Sequence, residues 1–252
     1  MSKEAITRDM LLQHRATGPW RDLESIAQNL TADAKKHGGS FFTPRLGGGT
    51  RLMLALNHRI SDDIDLFVDS PAWLAYLTPR TSDAFEDKLT DYIEDADHVK
   101  WRFAFGEIDF IVRTSLLKSD DLWNPPAIET TFELEPPLEV LAKKLFYRGW
   151  ALTPRDLFDW QAIETSAPIT VEQRTELAHL LVDKYDDIFT ALARMPEKKL
   201  VTQAWSKIKA PEVPDLKEVL DWAHGCLKHY EAITSNVPGQ PDRRQSRHKV
   251  TD

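Results

Sequence analysis

The stretch RLGGGTRLMLALNHRISDDIDLF, residues 45–67, restricts the fold more than any other part of the chain. SFFTPRL reads as a short buried strand that runs into three glycines. TRLMLALNH then has the apolar density of a helix starting at Thr50. DIDLFVD alternates as a strand, with Ile64, Leu66 and Val68 on one face and Asp63 and Asp65 on the other. Thirteen positions separate Thr50 from Asp63, room for one helix between two neighbouring strands. A strand that passes through glycine into a helix offers backbone amides and a helix N-terminus to an anion. Glycine suits that place because a Cβ would block close approach of a phosphate. No lysine follows the last glycine, so this is not a Walker loop. Asp63 and Asp65 at i, i+2 point to one side and can hold one or two Mg²⁺ ions. The glycines alone read more readily as a plain turn, and DID alone as a solvated strand face. Together they are far more specific.

Residues 4–15 and 20–37 read as helices, the second with an apolar stripe of Leu23, Ile26, Ala27 and Leu30 that ends at Gly38-Gly39. SDAFEDKLTDYIED, residues 82–95, is expected to be a helix with Ser82 as N-cap. HVKWRFAF and EIDFIVR form a hairpin pattern joined at Gly106, and ETTFELE is a further strand. After Pro136-Pro137 the pattern changes. LEVLAKKLFYR, PRDLFDWQAIE, VEQRTELAHLLVDKYDDIFTALARM and DLKEVLDWAHGCLKHYEAI are all helical, separated by Pro154, Pro168, Pro196 and a KAPEVPD linker. The expected architecture is α+β: residues 1–136 as a mixed sheet with helices, 137–234 as a helical domain completing a cleft, and 235–252 as a disordered tail. No internal repeat is present.

The 252 residues, 42% of them apolar with eight Trp and eleven Phe, suffice for a sizeable core. The formal net charge of −8 means that a polyanion could bind only at a local basic patch. KKLFYRGW and RRQSRHK supply two such runs with aromatic neighbours, although such aromatics more often belong to the core. The single cysteine, Cys226, excludes an internal disulfide and a cysteine-rich zinc site, and reads as a semi-buried helix residue. No apolar run approaches the roughly 18 residues of a membrane span, and no signal peptide follows Met1, so a cytoplasmic protein is expected.

The order strand, Gly-Gly, helix, Asp-x-Asp strand resembles the nucleotidyltransferase superfamily with the polymerase-β-like palm. That superfamily implies a third carboxylate on a later strand. Asp109 in EIDFIV fits, with Glu107 on the same face as a competitor. More narrowly, GGTRLMLALNHRISDDIDLF is similar to the Gly-Gly-Thr, Arg-x-Ser-x-Asp-Ile-Asp signature of the AbiEii/AbiGii family. Those are nucleotidyltransferase-like toxins of abortive-infection and type IV toxin–antitoxin systems. LAKKLFYRGWALTPRDLFD resembles the family's second signature, a Lys, an Arg, then Arg-Asp-x-x-Asp. The two motifs stand in the right order between residues 47 and 159. An extra glycine (Gly47), an extra acid (Asp62) and the gap from Arg148 to Arg155 depart from the pattern.

The resemblance implies that Gly48, Gly49 and Thr50 face a triphosphate and that Asp63 and Asp65, with Asp109, bind Mg²⁺. Arg59 and Ser61 match the Arg-x-Ser, which would brace the strand and the phosphates. Lys144 matches the motif lysine. Arg148 lies at i, i+4 and can reach the same anion, whereas Lys143 faces elsewhere. Asp156 and Asp159 share a helix face, Asp159 matches the family's functional aspartate, and Arg155 could pair with either. The bland reading of these three is a surface salt-bridge cluster.

The implied reaction moves a nucleoside monophosphate from an NTP to a hydroxyl, with a metal-bound carboxylate or Asp159 as proton acceptor. The acceptor would be RNA such as a tRNA 3′ end, or a protein, and an antitoxin protein would be a partner. A small cationic acceptor, as in aminoglycoside nucleotidyltransferases, and a non-catalytic nucleotide-binding or interaction module are the alternatives.

Overall fold

Six strands build one mixed sheet in the order β3-β4-β5-β2-β1-β6. In chain order they are β1 (Arg45–Leu46), β2 (Ile64–Val68), β3 (Leu89–Glu94), β4 (His98–Phe103), β5 (Gly106–Val112) and β6 (Glu133–Leu134). The structure is a computed structural model that describes residues 6–39, 41–81, 85 and 87–235. β3, β4 and β5 form an antiparallel meander, β2 runs parallel to β5, and β1 is antiparallel to β2 and parallel to β6. The β2–β5 register sets Asp65 opposite Asp109.

Three helices belong to the sheet half: α1 (Arg8–Thr17), α2 (Trp20–Gly38) and α3 (Gly48–Leu56). α2 buries Leu23, Ile26, Ala27, Leu30 and Ala34 in one apolar cluster with Ile64, Leu66, Ile108 and Phe110 of the central strands. Alternation makes this possible, because every second residue of β2 and β5 points at the helix and the others, Asp65, Glu107 and Asp109 among them, point away.

From residue 137 onward the elements are α4 (Pro137–Arg148), α5 (Pro154–Ser166), α6 (Val171–Leu180), α7 (Tyr185–Arg194), α8 (Lys199–Trp205) and α9 (Leu216–Ser235). They enclose a second apolar cluster around Trp160, Leu177, Ile188, Leu227 and Tyr230. α3 serves both clusters: Leu52 is buried in the second, Met53 and Leu54 in the first. The helix that follows the glycines is therefore pinned from both sides.

Four expectations need correction. The described part of 82–95 is not the expected helix: Leu89–Glu94 is β3, the sheet edge beside β4, and Phe85 has φ +67°. The Leu89, Tyr92, Ile93 spacing fits a helix, but the outer backbone groups of β4 need a ladder partner, and that requirement prevails over local pattern. Ser82 and residues 236–252 lie outside the described residues. α3 begins at Gly48, not Thr50. The long pattern from Val171 breaks at a turn of 3₁₀ helix, Val182–Lys184, which lets α6 and α7 both pack against α9. The short α8, within a stretch with no helical assignment from sequence, closes the second cluster with Val201 and Trp205. Among the described residues no helix is long and apolar enough to cross a membrane.

Candidate active site

Gly47 turns the chain out of β1, its N–H donating to the Asp65 carbonyl at 2.9 Å, and α3 starts with no side-chain cap. Gly48 has φ +62°, and a Cβ built on it would lie 1.8 Å from Asp65 Oδ2. A Cβ on Gly49 would lie 2.6 Å from Ser61 Oγ and 2.7 Å from Arg59 Nη2. Both glycines are thus demanded by the chain itself, since a carboxylate and a guanidinium press against the start of the helix. The free amides of the first turn of α3 face that crowded corner.

Thr50 does not turn to the cleft. It is fully buried and its hydroxyl donates to the Asp63 carbonyl, tying α3 to the start of β2. The expected contact between its side chain and a triphosphate is replaced by this tether, because the third residue of the helix already faces the sheet.

Asp63, Asp65 and Asp109 line one cleft of about 180 Å³ together with Gly49, Lys144 and Arg148. Asp63 Oδ1 accepts from the Glu107 N–H at 3.2 Å. Lys100 on β4 bridges Glu107 at 2.9 Å and Asp109 Oδ2 at 3.2 Å. Glu107 is further held by Arg102 at 3.0 Å, so both its oxygens are engaged. Asp109 Oδ1, in contrast, is buried and has no hydrogen-bond partner. Burial pushes the carboxyls of Asp63, Asp65 and Asp109 up. The Asp109 charge adds to the rise at Asp65, and Lys100 opposes the rise at Asp109.

Among the described residues no three His, Cys, Asp or Glu side chains are already drawn into a metal-binding group. The donors nonetheless suit a hard divalent cation. They are carboxylate oxygens only, they repel one another, and one buried oxygen lacks a partner.

The opposite wall comes from α4 and α5. Thr153 and Asp156 form a capping box at the start of α5. Asp156 also receives Lys144 at 2.6 Å and Arg148 at 2.7 Å. Burial alone would raise its pKa, but Lys144 and Arg148 outweigh that and hold it at about 2. The two cations expected on one anion do share one, and in this state it is Asp156. Asp159 is fully buried, takes Nε and Nη2 of Arg59 at 2.6 and 2.9 Å, and also receives His58 at 2.7 Å and Lys144 at 3.1 Å. Burial alone would raise its pKa, but the charges of Arg59 and Lys144 and the His58 hydrogen bond hold its carboxyl well below the usual range. A carboxylate so engaged has no free oxygen with which to take a proton from an attacking hydroxyl, so the expectation of Asp159 as proton acceptor is withdrawn.

Ser61 and Arg59 line the cleft beside Gly49. Arg155 pairs with neither Asp156 nor Asp159. It is exposed and lines the cleft rim. Lys143 does face elsewhere: buried, it is ion-paired with Glu135 behind the glycine turn and sits 3.9 Å over the Phe67 ring. KKLFYRGW is therefore no basic surface patch, since its two lysines are held in internal ion pairs. His58 and Lys100 carried no sequence signal. Lys100 in particular looks like any polar position of an alternating strand.

A family model described as "Nucleotidyl transferase AbiEii toxin, Type IV TA system" matches residues 33–226. No curated protein matches in sequence. Among solved structures, a STING-associated CdnE c-di-GMP synthase from Capnocytophaga granulosa aligns over 90% of this chain and 85% of its own, at 11% identity and a TM-score of 0.31. A likeness at that level carries no argument.

Proposed function

The chain belongs to the AbiEii nucleotidyl transferase toxin family of type IV toxin–antitoxin systems, and on that premise we propose a Mg²⁺-dependent transfer of a nucleoside monophosphate from an NTP to a hydroxyl acceptor. The family is one of nucleotidyltransferases, which implies an NTP substrate and an antitoxin partner. The finer reading is a polymerase-β-like palm over residues 1–136, a helical domain over 137–234 that completes the cleft, and a tail from 235. The acceptor would be RNA such as a tRNA 3′ end, or a protein, and the setting would be the cytoplasm of a phage-exposed cell.

One observation carries the reading. Asp65 and Asp109 stand in register on parallel strands, Gly48 meets Asp65 at the N-terminus of α3, and Lys144 and Arg148 face them across the same cleft. In the reaction the acceptor oxygen bonds to the α-phosphorus and the bond from that phosphorus to its bridging oxygen breaks. Pyrophosphate leaves with the electron pair, and the hydroxyl proton passes to water or to a cluster carboxylate. Mg²⁺ held by Asp63, Asp65 and Asp109 would neutralise charge on the phosphates. Asp109 is preferred to Glu107 as third ligand because it keeps an unpartnered oxygen while Lys100 and Arg102 occupy Glu107.

The rest is positioning by fixed charges. The first-turn amide N–H groups of Gly48 and Gly49 would donate to phosphate oxygens, with the Ser61 hydroxyl donating beside them. Arg148, half exposed, swings from Asp156 to the triphosphate, whereas Lys144 stays anchored between Asp156 and Asp159 and presents its charge. Asp159 acts through Arg59 and Lys144 by holding both in place. The test is incubation with each α-labelled NTP, Mg²⁺ and total RNA or protein. Label should enter an acceptor with release of pyrophosphate and should not do so with Asp65→Asn. Equal incorporation by wild type and Asp65→Asn would overturn the reading.

A further inference from the structure

Two rows of charge run across the cleft face of the sheet from β4 toward β2. In one, Lys100 on β4 stands in register with Asp109 on β5, which stands in register with Asp65 on β2. In the other, Arg102 stands opposite Glu107, whose N–H donates to Asp63 Oδ1 at 3.2 Å. Alternation places the cations there. Val99, Trp101 and Phe103 of β4 are buried, so Lys100 and Arg102 share the opposite face with the acids.

The carboxylate oxygens in these rows divide into two groups. Lys100 Nζ lies 2.9 Å from Glu107 Oε2 and 3.2 Å from Asp109 Oδ2, and Arg102 Nε lies 3.0 Å from Glu107 Oε1. Those three oxygens are taken. What remains for an added cation is Asp63, Asp65 and Asp109 Oδ1, which is buried and has no hydrogen-bond partner. The cations of the facing wall are committed as well, Lys144 and Arg148 to Asp156. A two-metal site places its ions about 3.5–4 Å apart, so carboxylate oxygens must reach both. Here a second ion would need Asp109 Oδ2 or Glu107. Mg²⁺ dehydrates reluctantly, and it would have to displace one ammonium from two carboxylates at once.

We infer that Lys100 is a resident cation standing in for a second metal ion, so that the cleft takes one divalent cation, held by Asp63, Asp65 and Asp109 Oδ1. The inference rests on the nucleotidyl-transfer reading above. Lys100 has two effects in it. Its charge repels a further cation from the β4 side of Asp109, and its bond to Oδ2 fixes that carboxylate while Oδ1 is left for the ion. Both effects need a positive charge at this place on β4, and a neutral side chain of similar length supplies neither.

The experiment uses the full chain with Mn²⁺ as probe, the bound ions being counted by calorimetry and by electron paramagnetic resonance. Wild type and Lys100→Arg should each bind one ion, with the spectrum of an isolated Mn²⁺. Lys100→Met should bind two, and the pair, about 4 Å apart, should show the spin coupling of neighbouring ions. An α,β-methylene NTP analogue should leave the wild-type count at one, because carboxylates and triphosphate share that ion. Lys217→Met, at an exposed α9 lysine paired with Asp221, serves as control and should also stay at one. Melting temperatures close to wild type show that the variants fold, and Lys100→Gln repeats the count if Lys100→Met does not fold. Two ions on wild type, or none, overturn the inference. So does a single ion on whichever of Lys100→Met and Lys100→Gln is folded. If wild type binds one ion and Lys100→Met two, yet no NTP is bound or used, the nucleotidyl-transfer reading fails and the assignment of Lys100 stands. If label from an NTP enters an acceptor while wild type holds two ions, the reading stands and the assignment fails.

Discussion

Arg59 and Asp159, 100 positions apart, meet in a fully buried, two-pronged ion pair: Nε and Nη2 of the guanidinium donate to both carboxylate oxygens at 2.6 and 2.9 Å. Arg59 sits in the loop that leads into β2 and Asp159 on α5, so this contact locks the strand that carries Asp65 to the helical wall of the cleft. Removing one partner from a buried pair costs about 3–5 kcal/mol, because the other charge is left uncompensated. Arg59→Ala and Asp159→Asn should each destabilise strongly, and the double variant should cost much less than their sum. Urea unfolding of the four proteins measures the coupling. Simple additivity would mean that the pair does not hold the two walls together. Arg59→Lys should fail to rescue, since an ammonium cannot fill both prongs.

The two adjacent lysines should separate binding from stability. Lys144→Ala should weaken NTP binding far more than Lys143→Ala, because only Lys144 lines the cleft. Lys143→Ala should instead lower the melting temperature, since it strands Glu135 behind the glycine turn. Calorimetry with the folded proteins decides the point, and equal or reversed affinities would place the second motif in the wrong register.

Gly48→Ala should be worse than an ordinary helix-start substitution. The backbone at φ +62° costs a side chain about 1–2 kcal/mol, and the new Cβ would also collide with Asp65 Oδ2. Loss of stability together with loss of transfer is expected. Asp65→Gly in the same chain should recover part of the stability but no activity.

Expression in a bacterial host should slow growth, and Asp63→Ala or Asp65→Ala should relieve the effect if transfer is what harms the cell. Equal toxicity of wild-type and doubly substituted protein at equal soluble levels would remove catalysis from the explanation.

Acid should weaken the α4–α5 wall in a defined window. Asp156 has a folded pKa of about 2, below its unfolded value of about 3.9. The folded state therefore gains stability from this group above pH ~4 and loses it as the pH falls through about 2, a contribution of about 2–3 kcal/mol. The gap in unfolding free energy between wild type and Asp156→Asn should be constant above pH 5 and shrink steadily below pH 4. A gap that does not change with pH would show that the Lys144 and Arg148 contacts leave Asp156 unperturbed.

Much of this was legible in the chain alone, because it depends on local periodicity and spacing. Alternation in DIDLFVD and EIDFIVR assigns Asp65 and Asp109 to the faces opposite their apolar neighbours. The thirteen positions between Thr50 and Asp63 admit one helix, and i, i+4 spacing brings Lys144 and Arg148 to a common anion. Each follows from backbone geometry within a single element.

What required the tertiary structure is everything decided between elements. Residues 89–94 have a pattern compatible with helix or strand, and only the open side of β4 makes them a strand. Gly48 and Gly49 look from sequence like room for a phosphate, yet Asp65, Ser61 and Arg59 press on them first. Thr50 and Asp159 read as groups for ligand and proton, but burial and partners 13 and 100 positions away engage them. Lys207, Lys209 and Phe105 belong to no motif at all. They meet beside Asp63 only because the docking of Lys209 on Ile60 brings the α8–α9 segment to the sheet. A sequence fixes which face of its own element a side chain occupies, whereas its neighbours across the cleft depend on how separately folded surfaces pack.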